Sequence, residues 1–131
     1  MIPKFRAWDT TNKEIFKDTF AITESGQVVV VDQSSVFVSP DYVFVDNLVI
    51  MQSTGLCDKE GTEVFEGDIL HHQIQTEYTF IVKYDKDKGR WYGDGLSRTY
   101  RIDIKKEFLP YYKVIGNIYE NKNLLEVENE D

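Results

Sequence analysis

A chain of 131 residues, 41% hydrophobic and 29% charged, has the length and balance of one globular domain rather than of a disordered segment. A single cysteine, Cys57, excludes an internal disulfide framework, the amino terminus lacks the apolar run of a signal peptide, and no stretch approaches the roughly 18 apolar residues of a membrane span, so a cytoplasmic protein with no membrane partner is expected. The net charge of −8 disfavours nucleic acid and anionic lipid as partners for the surface taken as a whole.

Period-two alternation runs through the chain and helical periodicity is nearly absent, and an aromatic share of 14% also favours strands. Residues 4–8 read as a strand, Phe5 and Ala7 alternating with Lys4, Arg6 and Trp8. Thr11-Asn12-Lys13 supplies a turn, and Ile15 to Ile22 can return as the partner strand. After Ser25-Gly26, the β-branched run Val28 to Val31 predicts a strand covered on both faces, and Val36-Phe37-Val38 a further one. Tyr42 to Met51 is apolar and β-branched, with Asp46-Asn47 able to end one element and begin another, a helical turn included.

Asp58-Lys59-Glu60-Gly61 has Asp first and Gly fourth, as a type I turn prefers. Glu66-Gly67-Asp68 bends the chain before Ile69 to Ile74. Tyr78 to Tyr84 carries the clearest alternation in the sequence. Asp85-Lys86-Asp87-Lys88-Gly89 is then a polar hairpin loop, Trp91-Tyr92 begins the return strand, and Gly93-Asp94-Gly95 turns once more. Tyr100, Ile102 and Ile104 alternate again, and Lys105 to Leu109 suggests one helical turn stopped by Pro110. The chain closes through Val114-Ile115 and Gly116-Asn117 into an acidic tail, 126–131, expected to fray. Short strands punctuated by turns argue for a mainly-β, antiparallel barrel or sandwich, with a soft boundary near Met51-Gln52-Ser53.

No catalytic constellation stands out. His71-His72 are adjacent on an expected strand, where neighbours point to opposite faces, so a shared metal is not expected. The loop at Asp85 puts Gly fifth and Leu96 twelfth, which departs from the EF-hand calcium pattern. The acids Asp58, Glu60, Glu63, Glu66 and Asp68 sit among turn residues, where solvated carboxylates are ordinary, and Cys57 needs a base that sequence cannot place. No catalytic, cofactor or metal residue is therefore assigned.

Charge is unevenly spread. Residues 83–106 hold eight cations against four acids, a net +4, leaving −12 on the remainder. The candidate interaction surface is Lys86, Lys88, Arg90, Trp91, Tyr92, Arg98 and Arg101, where cations and rings interleave as they do on nucleic-acid surfaces. Three readings are open, in this order: a solvated hairpin whose rings pack inward, docking on the acidic remainder of a neighbouring subunit, and nucleic-acid binding. Glu126, Glu128, Glu130 and Asp131 invite a DNA-mimic reading, against the ordinary one of a solubilising tail.

Three stretches carry a resemblance to a known family. They are Lys4-Phe5-Arg6-Ala7-Trp8-Asp9; Met51 to Leu56, continuing through Asp58-Lys59-Glu60-Gly61 to Glu66-Gly67-Asp68-Ile69-Leu70; and Val114 to Asn121 followed by Leu124-Leu125. In order and spacing they resemble the YopX family. The resemblance implies a phage or prophage protein with no assigned activity or catalytic residues and a C-terminal SH3-like barrel whose closing strand is Lys113 to Tyr119. On that footing the chain divides into an N-terminal β-sheet region, 1–50, the barrel, 51–125, and the tail, with few helical turns. The expected function is a non-enzymatic, cytoplasmic accessory protein without cofactors. It acts through protein–protein contacts with itself and with an unidentified phage or host protein; abundant aromatics and potential edge strands motivate this.

Overall fold

The computed structural model describes residues 4–16, 20–32, 41–75, 78–96 and 101–125; the expected Val36–Val38 strand, Arg98, Tyr100 and the acidic tail lie outside them. Contacts divide the chain into two units, Phe5–Ile50 and Met51–Asp131 together with Met1–Lys4.

In the first unit, β1 (Phe5–Asp9) pairs antiparallel with β2 (Glu14–Phe16), Ala7 opposite Phe16 and Asp9 opposite Glu14. Asp9 holds the turn between them. Its Oδ1 accepts hydrogen bonds from the amides of Thr11 (2.9 Å) and Asn12 (3.0 Å) and from Asn47 Nδ2 (2.9 Å). Arg6 to Asp9 are all buried, so both faces of β1 are covered and the expected alternation does not appear in its burial.

The single return strand expected over Ile15 to Ile22 is two strands. β2 ends at Phe16, and β3 (Phe20–Ile22) opens a second sheet with β4 (Val28–Asp32) and β5 (Asp41–Val45), in the order β3-β4-β5. Alternation reports which face a side chain takes, not which neighbour takes the hydrogen bonds, so it cannot mark this change of partner. Val29 is buried while Val28 and Val30 are half-buried, so among the described side chains β4 is fully covered on one face only. Asp46 and Asn47 form a bend rather than a helical turn, and β6 (Leu48–Cys57) starts directly after it.

In the second unit β6 pairs with β7 (Glu63–Phe65) across the Asp58–Gly61 turn, whose Gly61 amide donates to the Asp58 carbonyl at 3.1 Å. A meander follows: β8 (Asp68–His72), β9 (Thr79–Asp85), β10 (Arg90–Gly95) and β11 (Arg101–Asp103). A 3-10 turn, Leu109–Tyr111, then leads into β12 (Tyr112–Asn117), and β12 pairs with β8 to give the antiparallel order β11-β10-β9-β8-β12. The inward residues Leu70, Phe80, Val82, Ile104, Leu109 and Tyr112 form one buried cluster with Val64. Phe108 stacks on Tyr112 at 4.1 Å within it.

Three local expectations are corrected here. Gly93-Asp94-Gly95 is not a turn; β10 runs straight through it, and Gly93 is buried opposite Val82. The glycine is needed for space, since a Cβ there would lie 2.9 Å from Phe80 Cβ. Lys105 to Leu109 does make one hydrogen-bonded turn, the Leu109 amide donating to the Lys105 carbonyl at 3.3 Å, but Pro110 does not stop it: it sits in the first turn of the 3-10 helix that follows, where its missing N–H costs nothing. The last strand runs from Tyr112 to Asn117, after which Ile118 to Glu120 turn away. The strand class itself holds: the protein is mainly antiparallel β, and helix among the described residues is confined to Leu109–Tyr111 and a second 3-10 turn, Lys122–Leu125. None of the described helices is long and apolar enough to cross a membrane.

Candidate interaction surface

Strand geometry sorts the 83–106 segment onto two faces. Phe80, Val82 and Tyr84 on β9, Trp91 and Gly93 on β10 and Ile102 on β11 share the inward face. Lys83 and Asp85, Arg90, Tyr92 and Asp94, and Arg101 and Asp103 share the outward one. Trp91 is half-buried against the core and meets Tyr84 edge-on at 5.0 Å.

The outward face is a lattice of cross-strand ion pairs. Lys83 Nζ lies 2.7 Å from Asp94, Arg90 3.2 Å from Asp103, and Arg101 3.0 Å from Asp85. Arg101 reaches Asp85 diagonally, laying its guanidinium 3.7 Å above the centre of the Tyr92 ring. Asp85 also anchors the hairpin loop, accepting from the amides of Asp87 (3.0 Å) and Lys88 (3.2 Å). Burial pushes the Asp85 carboxyl up, but those two amides and the Arg101 guanidinium outweigh it and hold the group below its ordinary value. A polar groove of about 230 Å³ lies between Asp85, Lys88, Arg90, Tyr92, Arg101 and Asp103.

The candidate residues therefore separate. Arg90 and Arg101 are engaged by acids of their own sheet, Tyr92 is covered by Arg101, and Trp91 faces inward. Lys86 and Lys88 stand exposed in the loop without an acid partner among the described residues, and Arg98 lies outside them. Lys105 and Lys106, not singled out in the sequence, belong with the loop lysines. The Ile104 amide donates to the Trp91 carbonyl, so the residues that follow come level with Arg90, beside the loop. Only the register of β11 on β10 reveals this; nothing in the spacing does.

The adjacent histidines serve separate neighbours. His71 Nδ1 lies 3.0 Å from Thr79 Oγ1. His72 Nδ1 accepts from the amides of Ile74 (3.1 Å) and Gln75 (2.8 Å), while its ring stacks on Tyr111 at 6.0 Å and meets Tyr112 edge-on at 4.8 Å. Accepting at Nδ1 places the proton of the neutral ring on Nε2. The Gln73 amide donates to the Tyr111 carbonyl at 3.0 Å; of the side chains on these two segments, Ile74 is 76% exposed and Tyr111 55%.

The acids near 58–68 are largely structural. Asp58 accepts amides from Glu60, Thr62 and Val114, Asp68 accepts the Phe65 amide, and Glu63 accepts from Ser53 Oγ and lies 3.7 Å from Lys4. Cys57 is exposed, and no group of three potential metal ligands gathers among the described residues.

A family profile described as YopX protein matches residues 4–126. Among solved structures, the chain is similar to the crystal structure of protein EF1440 from Enterococcus faecalis, with 33% identity over 96% of this chain and 99% of that one and a TM-score of 0.65. It is also similar to the X-ray structure of protein yopX from Bacillus subtilis, with 17% identity, coverage of 96% and 98% and a TM-score of 0.61, a likeness that shows the fold alone. No curated protein matches.

Proposed function

Because the chain belongs to the YopX family, we propose that it is a non-enzymatic accessory protein of phage or prophage origin, acting in the cytoplasm through protein–protein contacts and associating with itself. The observation that carries this reading is the loop at 73–75. Ile74 is held outward by backbone bonds to His72, and the neighbouring Gln73 amide bonds the carbonyl of Tyr111, itself exposed, so two apolar side chains are presented to solvent from linked segments. Apolar side chains carried on hydrogen-bonded backbone lose less freedom on docking than ones on an unbonded segment, which favours them as binding anchors. Four meander strands, a 3-10 turn and a fifth strand pairing with the first support an SH3-like barrel for the second unit. Size-exclusion chromatography with light scattering tests self-association. The expected result is a particle larger than the 15.3 kDa chain, and a monomer at every concentration overturns it.

A second reading, a nucleic-acid-binding module on 83–106, draws on Lys86, Lys88, Lys105 and Lys106. With Tyr92 under Arg101 and Trp91 turned inward, binding would rest on phosphate contacts without base stacking there. Retardation of DNA or RNA at low salt that fades steeply with added salt is its expected signature, and no retardation removes it.

A further inference from the structure

The five-stranded sheet has one end where its charges separate. β9 runs toward that end and finishes in the 86–89 loop, β10 leaves from it, and β11 returns to it, so Lys86, Lys88, Lys105 and Lys106 gather on the β10–β11 side. The same end carries, on the β8–β12 side, the bend before β8 and the turn after β12. The Gly67 amide bonds the Val82 carbonyl and the Ile118 amide bonds the Gly67 carbonyl, so the bend at Glu66 and the turn at Glu120 lie toward the same end of the sheet, level with the last third of β9. Glu66 stands near Tyr119, whose phenol is pushed up first by burial and then by that carboxylate. Among the described residues no acid pairs with the four lysines and no cation with Glu66 or Glu120; Glu120 Oε1 accepts from Asn117 Nδ2 at 2.8 Å, which fixes the carboxylate but leaves its charge unneutralised. Asp87 and Glu107 offset part of the positive side and Lys122 part of the negative one.

An end face that is positive on one half and negative on the other is complementary to itself under a two-fold axis: rotation lays the lysines of one copy on the carboxylates of the next, twice over. Closed two-fold pairing of this kind ends at a dimer, and long-range attraction between the halves steers the encounter. From this separation we infer that two copies of the chain associate end to end through this face, Lys86, Lys88, Lys105 and Lys106 of each docking on the Glu66–Glu120 side of the other. The inference rests on the self-association reading and adds its surface, symmetry and chemistry. The occupant is a second copy rather than a nucleic acid because Tyr92 and Trp91 are both covered, while the negative half of the face would repel phosphate.

Sedimentation equilibrium of the full chain between 50 and 500 mM NaCl tests it with three variants. Wild type forms a dimer that weakens as salt rises. Lys86→Glu with Lys88→Glu, and separately Glu66→Lys with Glu120→Lys, each raise the dissociation constant by about tenfold or more. Combining all four changes restores association, which loss of folding cannot mimic. Dimers indifferent to salt and to either charge reversal would overturn this face while leaving self-association standing. A monomer throughout overturns both, and DNA retained by a monomeric wild type gives the lysines to nucleic acid instead.

Discussion

Asp58 receives the amides of Glu60 and Thr62 at Oδ1 and that of Val114 at Oδ2 (2.9 Å), so one carboxylate, 7% exposed, closes its own turn and ties it to β12, 56 residues away. Asp58→Asn, which turns an acceptor into a donor facing donors, is expected to cost about 1–3 kcal/mol in urea denaturation. Asp9 acts similarly in the first unit. The Asn12 amide, working against burial and aided by Thr11 and the Asn12 and Asn47 side chains, holds its carboxyl below the usual value. A depressed folded pKa gives stability that is present above the unfolded value of about 3.9 and is lost as pH falls through the folded one. Wild type should therefore unfold at a higher temperature than Asp9→Asn at pH 6, and the gap should close below about pH 4 in a thermal series. At Gly93 the constraint is space. Gly93→Ala should destabilise by about 1–3 kcal/mol, because Phe80 has to move to admit the methyl group.

At the scale of elements, the β9–β10–β11 ribbon shows why a basic run in sequence need not be a basic surface. Pairing puts Asp85, Asp94 and Asp103 within reach of Arg101, Lys83 and Arg90, and among the described residues the cations left over are those of the loop and of the turn after β11. Each exposed pair is worth only about 0.2–1 kcal/mol. Arg101 adds its contact with Tyr92, so Arg101→Met should cost about 1 kcal/mol, less in 1 M salt, by thermal melts at two ionic strengths. The 73–75 loop sets structure against display. His72→Phe keeps the stacking but removes the acceptor for the Ile74 and Gln75 amides, and should speed their hydrogen exchange markedly. Ile74→Ser, at a side chain 76% exposed, should leave stability within about 0.5 kcal/mol.

For the molecule as a whole, stability of the second unit centres on Phe80, which meets Tyr78, Phe108 and Tyr112 in one aromatic group. Phe80→Ala should cost about 3–5 kcal/mol, checked by chemical denaturation. The period-two pattern from Tyr78 to Tyr84 and the turn residues at Asp58–Gly61 and Asp85–Gly89 made most of this unit legible, because alternation and turn chemistry are local properties. The strand partners of Ile15 to Ile22 and the glycine at 93 were not legible. A glycine reads alike whether it turns the chain or yields to a ring on the next strand, and only the ring's position separates the two cases.

Sequence by itself determined the mainly-β, antiparallel class, the family, and the concentration of cations in 83–106, since composition, alternation and motif order need no knowledge of distant contacts. Tertiary structure alone decided which of those cations are neutralised. The ion pairs join residues 11 to 16 apart across strands, and the register that pairs them also brings Lys105 and Lys106 beside Lys86 and Lys88. It likewise set Glu66 and Glu120 at the same end of the sheet, through hydrogen bonds at Gly67 that link Val82 to Ile118. Charge is a property of residues, but an electrostatic surface depends on distances, and those are fixed only when the strands pair.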